Sequence, residues 1–262
     1  VKKLIHNLFC FHGVDHKVGT TMVTQSVAET ISLGSPNLKL LLISMNGRES
    51  AEYIKEAPIS IDAMKFHIDN KMMSGSDFMK ACTHKGNFYM MAGVANELEA
   101  RYYYPEMARY LLEEIAPEFD LILADCGNEI DNGLAIGALS AAEEIFLVVT
   151  QQESGIRRFE RNKRIMENLG IFTSACIVNK YYEQDPIGLS YLAGRMEIEK
   201  ERLWKLNHAD CARQAEMEYK TLLEYRNEPY TKDVVTVANY ILRKNGFEEI
   251  AKQRKSRWKN FI

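Results

Sequence analysis

The 262-residue sequence has no apolar run approaching the roughly 18–20 residues that a helix needs to cross a bilayer, so no membrane-spanning helix is expected. Its first residues, Val1-Lys2-Lys3-Leu4, lead into a strand-like run without a small-residue cleavage site, and no secretory signal is expected either. Prolines number only six, and no Ser/Gly-rich linker, repeat or low-complexity stretch divides the chain, which argues for one main domain. The five cysteines (Cys10, Cys82, Cys126, Cys176 and Cys211) are far apart and never form a C-x-x-C pair. That excludes a disulfide framework and a cysteine-based zinc site, and reads as reduced core thiols in a cytoplasm. His6, His12, His67, His84 and His208 show no metal-ligand spacing. With 46% apolar and 26% charged residues, the composition also excludes a disordered chain.

What is present begins with an uneven charge. The net charge is −3, yet Lys252, Arg254, Lys255, Arg257 and Lys259 crowd the last residues with no acid among them. Further upstream, apolar runs of strand length recur at Leu4 to Phe11, Leu38 to Ser44, Asn87 to Met91, Leu121 to Asp125, Glu144 to Thr150 and Ser174 to Asn179, with a weaker one at Leu203 to Leu206. Most are continuous rather than alternating, as in strands covered on both faces. Helical patterns separate them: Thr20 to Ser32, Pro105 to Ile115, Ile156 to Leu169, Ala212 to Tyr225 and Thr231 to Asn245. The alternation predicts an α/β fold with a single doubly wound, mostly parallel sheet flanked by helices. Its chemistry should gather at the carboxyl ends of the strands.

The first predicted strand ends in Gly13-Val14-Asp15-His16-Lys17-Val18-Gly19-Thr20-Thr21, and a helix follows at once. A glycine-bearing loop entering a helix offers backbone N–H groups and a positive dipole end, a cradle for phosphate. Against the pattern G-x-x-x-x-G-K-[ST], Gly13 and Thr20 fit the first and last positions, leaving Val18 for the second glycine and Gly19 for the lysine. The alternative register makes Gly19 the second glycine, puts Thr20 at the lysine position and loses the first glycine. Neither register supplies a lysine. Downstream, Phe119 to Gly127 has the form of a Walker B strand, apolar residues ending in Asp125. Such an aspartate holds a magnesium-bound water while Thr20 supplies a hydroxyl ligand; a helix cap or turn is the other role open to Asp125.

In these motifs the chain resembles the ParA/MinD-type P-loop ATPases, the deviant Walker A group that includes the TadZ/CpaE pilus-assembly proteins. Leu40 to Asn46 sits where that family has a second strand ending in Asp-x-Asp; Glu143 to Gln152 resembles its strand ending in T-x-x-E; Ile177-Val178-Asn179-Lys180 resembles its V-x-N-[RK] motif. The stretch Asn207 to Tyr225 is similar to the segment after the family's I-P motif. The resemblance implies a P-loop NTPase-like domain over residues 1–246, a homodimer, and ATP or ADP with Mg²⁺ bound by Gly13, His16, Lys17, Val18, Gly19, Thr20, Thr21 and Asn179. Asn179 would recognise adenine, and Thr20 and Asp125 would hold the magnesium. The departures are as informative. Val14 replaces the family's signature lysine, Gly19 the ordinary P-loop lysine, and Ser44 and Asn46 the two acids after strand two. The pattern implies a nucleotide site that hydrolyses slowly or not at all. Lys17 either approaches a phosphate from another direction or is solvated at the loop crown; His16 either donates to a phosphate or shapes the turn.

Two basic surfaces complete the reading. Arg157, Arg161 and Arg164 share one helical face with Arg158 and Lys163 beside it, which suits DNA phosphates, an acidic partner or plain solvation. Residues 247–262 place Phe247, Ile250, Ala251, Trp258, Phe261 and Ile262 on one side of a helix with cations around it, interrupted by Arg254. This tail is either a helix at the inner membrane surface or a helix docked on its own sheet. The function expected is a positioning or recruitment scaffold in pilus or secretion assembly, polar localisation or partition. The alternative is a slow ATPase of chromosome or plasmid partition that uses Lys17. A metabolic ligase on the same fold would need the P-loop lysine that is absent.

Overall fold

The structure, a computed structural model, describes residues 4–50 and 58–251. Its centre is an eight-stranded sheet among the described residues, in the order β3-β4-β2-β5-β1-β6-β7-β8. The strands are β1 (Ile5–Gly13), β2 (Leu40–Ser44), β3 (Thr83–Lys85), β4 (Phe88–Met91), β5 (Leu121–Asp125), β6 (Ala142–Val149), β7 (Ala175–Tyr181) and β8 (Leu203–Asn207). All pairings are parallel except the short edge strand β3 against β4. The α/β, doubly wound, mostly parallel fold expected from the sequence is therefore the fold observed.

The helices are α1 (Thr20–Gly34), α2 (Lys65–Asp69), α3 (Gly75–Ala81), α4 (Pro105–Ile115), α5 (Gly133–Ala141), α6 (Glu153–Asn168), α7 (Leu189–Met196), α8 (Ala212–Met217) and α9 (Glu228–Lys244). α1 packs on α9, and α4 on α5, so the central strands are covered. Hence β5 is buried at every position and β1 at all but one, which is why they read as continuous apolar runs. Among the buried polar residues on the strands, one shows the physical condition for such burial. Glu144, on β6, is a buried carboxylate that accepts from Tyr240 Oη at 2.9 Å, Lys244 Nζ at 2.7 Å and Arg202 Nη1 at 3.3 Å. Buried charge persists only where it is paired and hydrogen-bonded, and here three elements converge to do so.

β1 lies between β5 and β6, with β2 and β4 beyond one side and β7 and β8 beyond the other. The winding reverses there, which opens a crevice at the carboxyl end of β1. The C-terminal side corrects one expectation. Residues 247–251 form no helix: α9 ends at Lys244, Phe247 N–H donates to Leu242 O at 2.9 Å, and the Ile250 backbone exchanges hydrogen bonds with the Asn239 side chain. Ile250 lies directly on Gly34, where a Cβ would come within 2.5 Å of its Cγ1. Lys252, Arg254, Lys255, Arg257, Trp258, Lys259, Phe261 and Ile262 lie outside the described residues. Among the described residues no helix is long and apolar enough to cross a membrane.

Candidate functional site

The loop from Val14 to Gly19 rises from β1 and folds back into α1. Its end is set by Gly19, the residue that caps α1, in the left-handed region at φ 90°. A side chain there would be strained, and its Cβ would also fall 2.5 Å from Asn179 Nδ2. No side chain caps α1, and no acid lies in its first turn. The orphan N–H groups and the positive end of a 15-residue helix therefore face the loop with no acid of the helix's own first turn to answer them.

Two contacts orient the loop's peptides. Asn179, buried at the end of β7, donates through Nδ2 to Val18 O at 2.8 Å, and Lys180 Nζ donates to Lys17 O at 2.6 Å. In a trans peptide the N–H points opposite to the C=O, so with both carbonyls drawn toward β7 the N–H groups of Val18 and Gly19 face the loop interior. Burial, reinforced by the nearby Arg213 and Lys17 charges, holds the Lys180 ammonium below its usual range.

Asp125 closes the floor. Its Oδ2 accepts from Thr21 Oγ1 at 2.6 Å, and its Oδ1 accepts from Gly127 N–H at 2.9 Å. Burial raises this carboxyl's pKa, and those two bonds oppose the rise. The expectation that Thr20 meets Asp125 is corrected here. Because Gly19, not Val18, takes the left-handed turn into the helix, the register moves by one. Thr20 takes the position of the lysine, with its Oγ1 turned to Gly13, where a Cβ would lie 2.4 Å away, and Thr21 takes the hydroxyl position. Both threonines, Gly13 and Asp125 remain at the same end of the sheet.

At the end of β2 the neutral replacements are tied into the same floor. Ser44 Oγ donates to Asn46 Oδ1 at 3.1 Å, and Asn46 Nδ2 reaches Asp125 Oδ2 at 3.4 Å. Beneath lies a cavity of about 30 Å³, lined by Thr21, Gln25, Ser44 and Asp125 among others, with room for a water or two. The buried Gln25 Nε2 finds no acceptor among the described residues.

The loop crown is polar. His16 Nδ1 lies 3.0 Å from Asn128 Nδ2 and His16 Nε2 lies 3.0 Å from Glu129 Oε1, so His16 braces the turn. Lys17 has φ 57°, and its exposed side chain makes no hydrogen bond or ion pair among the described residues. Of the arginines on α6, Arg157, Arg161 and Arg164 are exposed, and Glu153 and Glu160 interleave with them. Arg157 pairs with Glu153 at 3.0 Å, and Arg195 of α7 bridges Glu153 and Glu160, so the face is mixed in sign rather than a basic stripe. Arg158 does not belong to it. It turns inward to Asp15 and Glu129. Sequence reasoning missed the roles of Asp15, Asn128, Glu129 and Arg158; the first three flank the motif glycines Gly13 and Gly127, which was the available signal.

Among the described residues, no cluster of three or more His, Cys, Asp or Glu side chains forms a metal site. A buried carboxylate bonded to a threonine hydroxyl does fit Mg²⁺, which takes few protein ligands and completes its shell with water and phosphate oxygens. The open N–H cradle of α1 fits phosphate.

No protein-family model matches the sequence, nor does any curated protein. Solved structures do share the fold. A ParA family ATPase from Chlorobium tepidum superposes with a TM-score of 0.77 at 16% identity, covering 89% of this chain and 98% of that one. The septum site-determining protein MinD of Pyrococcus horikoshii, complexed with Mg-ADP, gives 0.69 at 17% identity over 91% and 98%. A McdA–ATP complex from Cyanothece gives 0.70 at 13% identity over 96% and 100%. The chain thus has the P-loop NTPase fold of the ParA/MinD ATPases, along nearly its whole length.

Proposed function

We propose that this chain is a ParA/MinD-like positioning or recruitment scaffold, of the TadZ/CpaE kind, whose nucleotide site binds more readily than it hydrolyses. The observation that carries the reading is the Thr21–Asp125 pair at 2.6 Å beneath an uncapped helix N-terminus. Thr21 and Asp125 would hold Mg²⁺, the N–H groups of Val18 and Gly19 would meet the phosphates, and Asn179 would lie beside the base. The ion, when bound, neutralises phosphate charge. The residues that would drive turnover are absent: Thr20 stands at the lysine position, and Ser44 and Asn46 offer no carboxylate to a water. A cation at such a site is worth about 10³-fold or more in phosphoryl transfer. The scaffold would act as a homodimer that recruits a protein partner in pilus or secretion assembly, at a cell pole or in partition. It would be cytoplasmic, or peripheral at the inner membrane face through residues 252–262.

Equilibrium binding of Mg-ATP and Mg-ADP, together with steady-state phosphate release, tests this. Binding that depends on magnesium, with turnover far below that of active relatives, supports the reading; no binding of either nucleotide overturns it. The slow-ATPase alternative draws on one observation, the exposed side chain of Lys17 in the loop, unpaired among the described residues. Turnover that is abolished in Lys17→Ala while binding persists would favour it.

A further inference from the structure

The α6 helix begins hard against the loop: a Cβ on Gly155 would lie 3.4 Å from Val14 Cγ2 and 3.7 Å from Asp15 Cβ. One turn on, Arg158 is half-buried and spans the crevice, with Nη1 3.2 Å from Asp15 Oδ1 and Nη2 2.6 Å from Glu129 Oε1. His16 joins the ring twice, through Nε2 to the same Glu129 oxygen and through its own N–H to Asp15 Oδ1 at 2.8 Å. The ring ties together three separate pieces: the crown of the loop after β1, the loop that follows Asp125, and α6. Those are the walls between which the outer phosphates of a nucleotide in this crevice would lie.

We propose that Arg158 is the cation this site offers to the terminal phosphates of a nucleoside di- or triphosphate, stored until then between Asp15 and Glu129. The inference rests on the nucleotide-site reading above. The other nearby cations are placed for different work. Lys17 points to solvent, and Lys180 is engaged on the carbonyl side of the loop, opposite the N–H groups. Two carboxylates at the mouth repel a polyphosphate unless a cation stands among them. Arg158 presents a planar fork already holding two oxyanion groups, the geometry that also suits phosphate. Exchange of carboxylate for phosphate oxygens would free Asp15 and Glu129 and loosen the crown from α6. Occupancy of the site would then alter the helix whose outer face carries Arg157, Arg161 and Arg164, and anything bound to that face would in return alter phosphate affinity.

The test is titration of the full chain with fluorescently labelled ATP, ADP and AMP in magnesium, reading affinity rather than turnover. Wild type is compared with Arg158→Ala, Arg158→Lys and the double variant Asp15→Asn/Glu129→Gln, with thermal melts to confirm folding. Arg158→Ala should weaken ATP by about tenfold or more while leaving AMP nearly unchanged, with Arg158→Lys between the two. The double variant should tighten ATP several-fold. If Arg158→Ala keeps the wild-type ratio of ATP to AMP affinity, the proposal falls and the nucleotide reading stands. If wild type binds none of the three but the double variant gains ATP, the latch is upheld in its strongest form. If neither binds, both readings fall together.

Discussion

The Thr21 hydroxyl donates to the Asp125 carboxylate across 2.6 Å, joining the first turn of α1 to the end of β5 through two residues 104 positions apart. The bond fixes which threonine faces Asp125, while Thr20 turns to Gly13. Thr21→Ala should therefore reduce magnesium-dependent nucleotide affinity by about tenfold or more, in line with the loss of one ligand and one charge-assisted bond. Thr20→Ala should change it little. Isothermal titration of both variants with Mg-ADP decides; equal losses would contradict a register in which Thr21 alone faces the metal.

The same register makes Thr20→Lys a gain-of-function test. A lysine there begins where P-loops place theirs, so ATP affinity should rise, read as a lower Kd by the same titration. Turnover should stay low, because Ser44 and Asn46 still supply no carboxylate. Full activity from this one change would show that the end of β2 is not limiting.

Glu29 of α1 is partly buried and has one enclosed carboxyl oxygen with no hydrogen-bond partner among the described residues. Burial, against a weaker Thr221 hydrogen bond, pushes its pKa up to about 8 from 4.5. A raised acid pKa means the folded state holds a proton that the unfolded state has released. This contribution is full below pH 4.5 and is lost as pH rises toward about 8, by roughly 1.4 kcal/mol per unit. Urea denaturation of wild type and Glu29→Gln at pH 5 and pH 9 should show wild type losing more stability than the variant. Parallel losses would remove Glu29 from the account.

Glu144 is the opposite case, a buried acid with its partners in place. Glu144→Ala takes the acceptor from Tyr240 and leaves Lys244 with Glu143 alone at 3.6 Å, and should cost about 2–3 kcal/mol in a denaturant melt because these partners are partly solvated; Glu144→Gln should cost less. A loss below about 1 kcal/mol for the alanine variant would mean that solvent already shields the cluster.

On the membrane reading, cutting the chain after Ala251 should leave the melting temperature nearly unchanged, and a sharp fall would mean a docked tail; cutting after Gly246 should lower it on either reading, because Ile250 then leaves its seat on Gly34 and Asn239. The shorter cut also tests the membrane reading. Co-sedimentation with anionic vesicles should vanish with residues 252–262, since each basic group near such a surface contributes about 1 kcal/mol.

Much of the fold was legible because burial on both faces writes itself into the chain. The sequence reading matched β5 at Leu121–Asp125 and α4 at Pro105–Ile115 to the residue. α5 was not seen because Gly133–Ala141 is apolar on every side and so shows no helical period. The predicted helix from Ala212 to Tyr225 stops at Met217, where Tyr219 takes φ 52° and a 3₁₀ turn at Leu222–Glu224 follows. At the site, loop and aspartate were readable as motifs, but the one-residue choice between Thr20 and Thr21 depended on a dihedral angle at Gly19. Arg158 was unreadable in principle. Helical spacing put it beside the other arginines, while its direction is set by Asp15, 143 residues away, and by Glu129, 29 residues away.

The bond from Asn179 to Val18 O ties the end of β7 to the loop after β1. If the amide that reads the base is also the tether of the phosphate loop, the two halves of a nucleotide cannot be sensed separately. The amide nitrogen has two hydrogens, so Asn179 can keep Val18 O while it meets a base, and whatever moves the loop moves the amide with it. Free base and free pyrophosphate, added together, should then fail to mimic the joined molecule, and the chain would respond to the covalent link between them.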